Sequence, residues 1–389
     1  MKIKHLLFLF LFTFSKPLIA QINLSVYSEV SIITAAPGSE LYEAFGHAAI
    51  RIHDPLLQID VIYNYGMFDF NAPNFYSNFV KGKLLYSLAR YNFNYFLESY
   101  KKDKRWVKQQ VLNLTQEQKQ LFFMYLENNA LPENAAYLYD PYFNNCATKL
   151  RDITTTILGD KIGFMDDNLE QNLSFRQLMN KEIHWNTWGN FGINLALGSK
   201  LDQKATLEQY MYLPKYVNSI FNHSILYVRN QPENLIKRED LLLDFEDQKP
   251  EISFFNPFLI FSIFSFIGLF ITFSDLKKKK ISKWLDFTLL FTTGILGVLI
   301  IFLWFFTDHS TAPNNFNFLW AFAPNLIIAF LMLKKNQQKW IKYYFILLSL
   351  LLITVPILWI REVQLFPVAV IPLVVLLFIR YLFLSKALI

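Results

Sequence analysis

The chain has 389 residues, a formal net charge of +6, 53% hydrophobic residues and 40 phenylalanines. That is too apolar for a wholly water-soluble protein of this length, so part of it must lie in lipid. The densest basic runs sit between apolar segments, where they report membrane orientation, and this argues against nucleic acid as a partner.

Taken in order, residues 1–20 have a short basic start (Lys2, Lys4, His5), an apolar centre from Leu6 to Phe14, and Leu18-Ile19-Ala20 before Gln21. This is the pattern of a secretory signal peptide cleaved after Ala20, and it predicts that residues 21–250 are exported as one water-soluble domain. Strands are expected over 26–34, 48–53 and 60–68, the last two joined through the turn-prone Asp54-Pro55. A helical pattern runs over 92–128, with a capping box at Thr115 to Gln118. A further helix opens at Asn144-Asn145-Cys146, where Leu150, Ile153 and Ile157 recur at helical spacing. The stretches 175–179, 185–198 and 207–216 are too irregular to assign.

From Phe254 onward the composition changes. Apolar runs cover 254–273, 284–307, 318–333, 343–360 and 366–384, most of them near the roughly 20 residues a helix needs to cross a bilayer. Residues 251–389 are therefore expected to be a membrane domain with five spans. The third run is short and carries Pro324 and Asn325, which leaves a re-entrant segment open. Lys277 to Lys280 and Lys283 fall in one loop, and Lys334, Lys335, Lys339 and Lys342 in the next but one. With the first domain outside, five spans put both loops in the cytoplasm, as the positive-inside rule requires. The loop 308–317 between them lies outside and reads as solvated.

Cys146 is the single cysteine, and an exported thiol without a partner in its own chain is more often functional than structural. Placed in the first turn of a helix, it meets unpaired backbone N–H groups and the positive end of the macrodipole, which favour the thiolate. Upstream, His47 and His53 share one face of a strand but stand about 20 Å apart, so only one can serve Cys146. His47 is the better candidate, because Gly46 beside it permits close approach, whereas His53 abuts a turn. If 54–58 closes a hairpin, Asn64 returns alongside His47 and can orient the imidazole, as the third group of a Cys-His-Asn arrangement does. A register slip of one would pass that role to Tyr63 or Tyr65, and Asp60 and Asp69 remain open. No histidine or cysteine spacing suits a metal, and no glycine loop suits a phosphate, so neither metal nor cofactor is expected.

Histidine on one strand, a polar residue on the next, and Asn-Cys opening a helix resemble the circularly permuted NlpC-type, papain-like fold of lecithin:retinol acyltransferase and its relatives. More closely, Phe45-Gly46-His47-Ala48-Ala49-Ile50-Arg51, Tyr63-Asn64-Tyr65-Gly66, Asn145-Cys146-Ala147-Thr148-Lys149-Leu150-Arg151-Asp152 and the apolar tail resemble the Lnb family of lipoprotein N-acyltransferases. The resemblance implies an α+β architecture, an exported papain-like domain followed by five membrane helices. It also implies an integral inner-membrane enzyme with its catalytic domain on the periplasmic side. That enzyme would move a fatty acyl chain from a phospholipid donor to the N-terminal amine of a diacylglyceryl-cysteine lipoprotein. Cys146 and His47 match the nucleophile and base, Asn64 the third member, and Asn145, Tyr63, Tyr65 and His309 become candidate substrate contacts. The alternative on the same fold is a membrane-anchored cysteine peptidase or amidase acting on cell-wall peptides.

Overall fold

In the computed structural model the described residues are 22–248, 253–335 and 338–387. The expected signal peptide and the expected boundary at 250/251 lie outside them. Among the described residues, ten strands occur in chain order: β1 (Glu29–Ala35), β2 (His47–Asp54), β3 (Ile59–Met67), β4 (Leu85–Asn92), β5 (Val107–Leu112), β6 (Ala136–Leu138), β7 (Ile162–Gly163), β8 (Ile225–Val228), β9 (Gln231–Asn234) and β10 (Ile236–Leu243). Seven form one antiparallel sheet in the order β10-β5-β1-β2-β3-β4-β6, and β7-β8-β9 form a small second sheet. The N-terminal region is thus α+β, with apolar helices following it.

Alternation along β2 explains its central place. Ala48, Ile50 and Ile52 turn to one face and pack with Leu150 and Ile153 of the helix Cys146–Leu158. Ala49 turns to the other, where Ile33, Ile62, Phe93 and Phe96 form a second, smaller core under the helix Phe93–Lys102. The β2–β3 hairpin is closed at Asp54, whose carboxylate accepts the N–H groups of Ser25 (2.6 Å), Leu56 (3.1 Å) and Leu57 (3.2 Å). Its register sets Ile50 opposite Tyr63.

Several elements differ from the sequence expectation. The first strand begins at Glu29 because Ser25 and Ser28 close a turn before it. The helical pattern over 92–128 is two helices, Phe93–Lys102 and Gln116–Asn129, separated by β5. Lys104 adopts a positive φ of 53° just past the first helix, and β5 then pairs with both β1 and β10. The capping box at Thr115 and Gln118 is formed. The stretches left unassigned contain helices Phe175–Glu182, Trp188–Ala196, Leu207–Tyr210 and Pro214–His223, started by Ser174, Thr187, Thr206 and the proline itself.

Among the described residues, four helices are long and apolar enough to cross a membrane: Pro257–Lys278, Lys283–Phe305, Ile341–Ile360 and Val368–Ala387. The third apolar run is no continuous helix but a 3-10 turn, Phe316–Leu319, and a short helix, Asn325–Met332, either side of Pro324. Two glycines admit this broken segment against the second long helix. A Cβ on Gly294 would lie 2.3 Å from Leu326 N, and one on Gly297 2.1 Å from Ala321 O. Beyond it, the Lys283 ammonium donates to the Lys334 carbonyl, so the two lysine-rich loops meet at the same end of the bundle.

The loop 308–317 is not the solvated loop its composition suggests. Asn315 and Asn317 are buried, and their amides donate to the Leu195 and Asn194 carbonyls at 2.8 and 2.9 Å. Those carbonyls end the helix Trp188–Ala196 and have no partner within it, so the asparagines supply one. Gln364, from the connection before the last long helix, accepts the Phe316 N–H at 2.8 Å. Asp202, held by the buried Arg176, accepts the Leu365 N–H at 3.0 Å. The N-terminal region is therefore fastened to the connections between the apolar helices through these hydrogen bonds.

Candidate active site

Cys146 is the first residue of its helix, and Asn145 is the cap. The Asn145 side chain accepts the Thr148 N–H at 2.9 Å while Thr148 Oγ1 accepts the Asn145 N–H at 2.8 Å, a reciprocal box that fixes the first turn. The Asn145 amide also donates to the carbonyls of Pro141 (2.7 Å) and Tyr212 (2.8 Å), which locks the chain entering the helix. Asn145 is thus fully occupied in holding the backbone, and the structure does not place it as a substrate contact.

His47 opens β2. Its Nε2–H donates to Asn64 Oδ1 at 2.6 Å, and the Asn64 amide nitrogen donates to Tyr91 Oη at 2.9 Å and to the Met67 sulfur at 3.3 Å. With its nitrogen so engaged, Asn64 presents oxygen to the ring, which calls for a proton on Nε2 and leaves Nδ1 for the thiol. The Ile50–Tyr63 pairing sets Asn64 one residue farther along β3, on the face of His47. The imidazole lies against Phe96, with ring centroids 6.4 Å apart.

Cys146 and His47 are hydrogen-bonded and electrostatically coupled. Burial pushes the thiol up, but the charge and hydrogen bond of His47, with the N–H groups of Ala48 and Ala147, outweigh it and hold Cys146 below the usual 9.0. For His47 burial acts downward, yet the charge and hydrogen bond of Cys146 and the bond to Asn64 lift it above 6.5 against the opposing Arg105. Each group thus shifts the other toward its charged form at the end of the sheet, where Cys146 is buried and His47 half-buried. This arrangement can attack a carbonyl, and the imidazolium can return its proton to a leaving group.

Tyr63 and Tyr65 alternate with Asn64 and point to the other face. The Tyr63 hydroxyl donates to Glu127 and the Tyr65 hydroxyl accepts from Asn129 at 2.9 Å, so both are buried against the helix Gln116–Asn129. His309 packs its backbone on Gly82, in the β3–β4 connection. Arg51 pairs with Asp60 at 2.7 and 2.8 Å and stacks over Phe93, while Asp152 pairs with Arg151. Neither is directed at the sulfur.

Three features of the site were not read from the sequence. Arg105 donates to the Ala36 carbonyl at 2.8 Å, pairs with Glu43 at 3.1 Å and lies over the Tyr100 ring, flanking His47. Its partners are remote in sequence, and no local signal links them. Tyr91 anchors Asn64 from β4, a strand equally unannounced. Gly66 has φ +93°, and a Cβ there would lie 3.8 Å from Cys146 Cβ and 3.7 Å from the Tyr139 ring. A glycine inside a strand pattern marks such an approach, so this one was legible in principle. Gly46, with φ +73°, would drive a Cβ to 2.8 Å from the Ala35 carbonyl, which is the close approach expected there.

Family comparison decides what this arrangement belongs to. The Lnb N-terminal periplasmic domain matches residues 14–180 and the Lnb transmembrane domain matches residues 249–388. The chain belongs to the Lnb family. His47, Asn64 and Cys146 all fall inside the first match, and the broken segment and four long helices inside the second. No curated protein and no solved structure matches the chain. The family descriptions make this Lnb chain an integral membrane protein with a periplasmic N-terminal domain.

Proposed function

We propose that this Lnb-family chain is a lipoprotein N-acyltransferase, with Cys146 as nucleophile, His47 as base and acid, and Asn64 as the group that orients His47. The observation that carries the reading is the Cys146–His47–Asn64 chain, with cysteine and asparagine buried and histidine half-buried between them, clamped to the outer face of a membrane domain. The order of strand histidine, strand asparagine and helix cysteine supports reading the domain as a permuted NlpC-type fold. In the same reading the broken segment around Pro324 completes a fifth crossing, because Asn317 binds the exported region while Lys334 meets Lys283.

The Cys146 thiolate attacks a phospholipid ester carbonyl. The C–S bond forms, the ester C–O bond breaks, and the lysophospholipid oxygen takes the proton from His47. The backbone N–H of Cys146, free of any intrahelical partner at the first helical position, supports the oxyanion. The lipoprotein α-amine then attacks the thioester. The C–N bond forms, the C–S bond breaks, and His47 takes the amine proton, restoring thiolate and imidazolium. Incubation of the full-length protein with labelled phospholipid and no acceptor should leave label on the protein that neutral hydroxylamine removes, and Cys146→Ala should carry none. Cysteine-dependent cleavage of a murein stem peptide with no acyl-enzyme would establish a peptidase instead.

A further inference from the structure

The β3–β4 connection, residues 68–84, carries a dense set of aromatic side chains that no core requires. Its short helix Phe75–Val80 contains no buried residue, and Phe70 and Tyr76 are 50% and 69% exposed. An exposed apolar patch of this kind marks an interaction surface. The rings are not scattered. Starting at Tyr139, which like Cys146 lies beside Gly66, they run through Tyr86 (4.4 Å between centroids), Phe68 (4.9 Å), Phe70 (4.8 Å), Phe75 (5.3 Å) and Phe79 (6.3 Å).

The far end of this row is fastened to the membrane domain. The Asp308 N–H donates to the Lys81 carbonyl at 2.8 Å, and a Cβ on Gly82 would meet His309 N at 2.6 Å. Those residues directly follow Phe305 and Phe306, exposed at the outer end of the second long helix. Aromatic side chains at such a position belong to the membrane–water interface. One end of the row therefore lies at the outer leaflet and the other at the candidate nucleophile.

We propose that this aromatic row is the binding site for one fatty acyl chain of the donor phospholipid, drawn from the outer leaflet and led to Cys146. This rests on the acyl-transfer reading and deepens it by assigning the lipid side of the site. The row offers mostly bare phenyl rings, which suits a hydrocarbon chain and gives a peptide backbone little to bond to. It is continuous from the nucleophile to the fastened, interfacial end, as a chain still anchored in a bilayer requires.

The test uses the full-length protein in phosphatidylethanolamine vesicles and the double variant Phe70→Ser/Phe75→Ser, at one exposed and one half-buried position outside the main cores. Acyl-enzyme formation from a palmitoyl phospholipid should fall at least about tenfold, while acylation of Cys146 by p-nitrophenyl acetate should be unchanged. Equal loss on both esters, or loss on neither, overturns the proposal. Should the native protein form no acyl-enzyme from any phospholipid, the transfer reading fails, and the lipid site is judged separately. A phosphatidylethanolamine with a diazirine at its chain end, photolysed with Cys146→Ala protein, should label residues 68–86. Labelling confined to the long membrane helices overturns the site.

Discussion

Two clusters of interacting ionisable side chains in this molecule differ in what their protons can do. At the inner end of the membrane helices, Arg380 is fully buried, donating to Asp286 at 2.6 and 3.1 Å, to Asp275 at 3.0 Å and to Thr272 at 3.3 Å. Asp275 further accepts the Ser282 N–H and hydroxyl at 2.7 and 2.8 Å. Every partner is saturated, and a guanidinium does not give up its proton, so the cluster can only hold the first, second and last helices together. At the sheet end, Cys146 and His47 each shift the other toward its charged form, both are groups able to exchange a proton, and Asn64 restrains only one ring nitrogen. A pair that only clamps uses fixed charges, whereas a pair that reacts, as proposed for Cys146 and His47, needs a proton to transfer.

Exchanging roles between the clusters would break this contrast, and the largest effect should come from the proposed nucleophile. Cys146→Ala should lower acyl transfer by about 10⁴-fold or more with an unchanged melting temperature in detergent. A loss of only a few fold would remove Cys146 from the chemistry. Arg380→Met should do the reverse by leaving two buried carboxylates unpaired, at a cost of about 3–5 kcal/mol in stability, with recovery when Asp286→Asn is added. Thermal unfolding measures it. An Arg380→Met protein that folds as well as the native one but is inactive would make this cluster functional.

The pH profile sharpens the distinction. The reactive form needs Cys146 deprotonated and His47 protonated. Since Cys146 is held below 9.0 and His47 above 6.5, the acylation rate should rise with pH at a value lower than for an ordinary thiol and fall again at one higher than for an ordinary histidine. A single rise centred near 9 would show that the ion pair does not form. Smaller still, Asn64→Ala removes a hydrogen bond to a charged ring, worth about 1.5–3 kcal/mol, and should slow acylation about 10- to 100-fold without moving the melting temperature greatly. The mildest case is Arg51→Lys. It gives up the paired grip on Asp60 and should reduce stability by about 1 kcal/mol while keeping turnover; normal folding with lost activity would contradict this.

What the sequence determined rests on local rules. The helix opening at Cys146 was readable because Asn145 and Thr148 cap it within four residues, and the β2–β3 hairpin because Asp54 closes its own turn. The apolar tail and its lysine asymmetry follow from composition, since hydrocarbon selects for long runs of apolar residues. Only the tertiary structure decided that the face of β3 bearing Asn64, and not that bearing Tyr63 and Tyr65, meets His47. A register shifted by one residue reverses both faces, and no local signal fixes it. Arg105, Tyr91 and the asparagines at 315 and 317 escaped for the same reason. Each satisfies a group far away along the chain, and a hydrogen bond across such a separation has no period for the sequence to display.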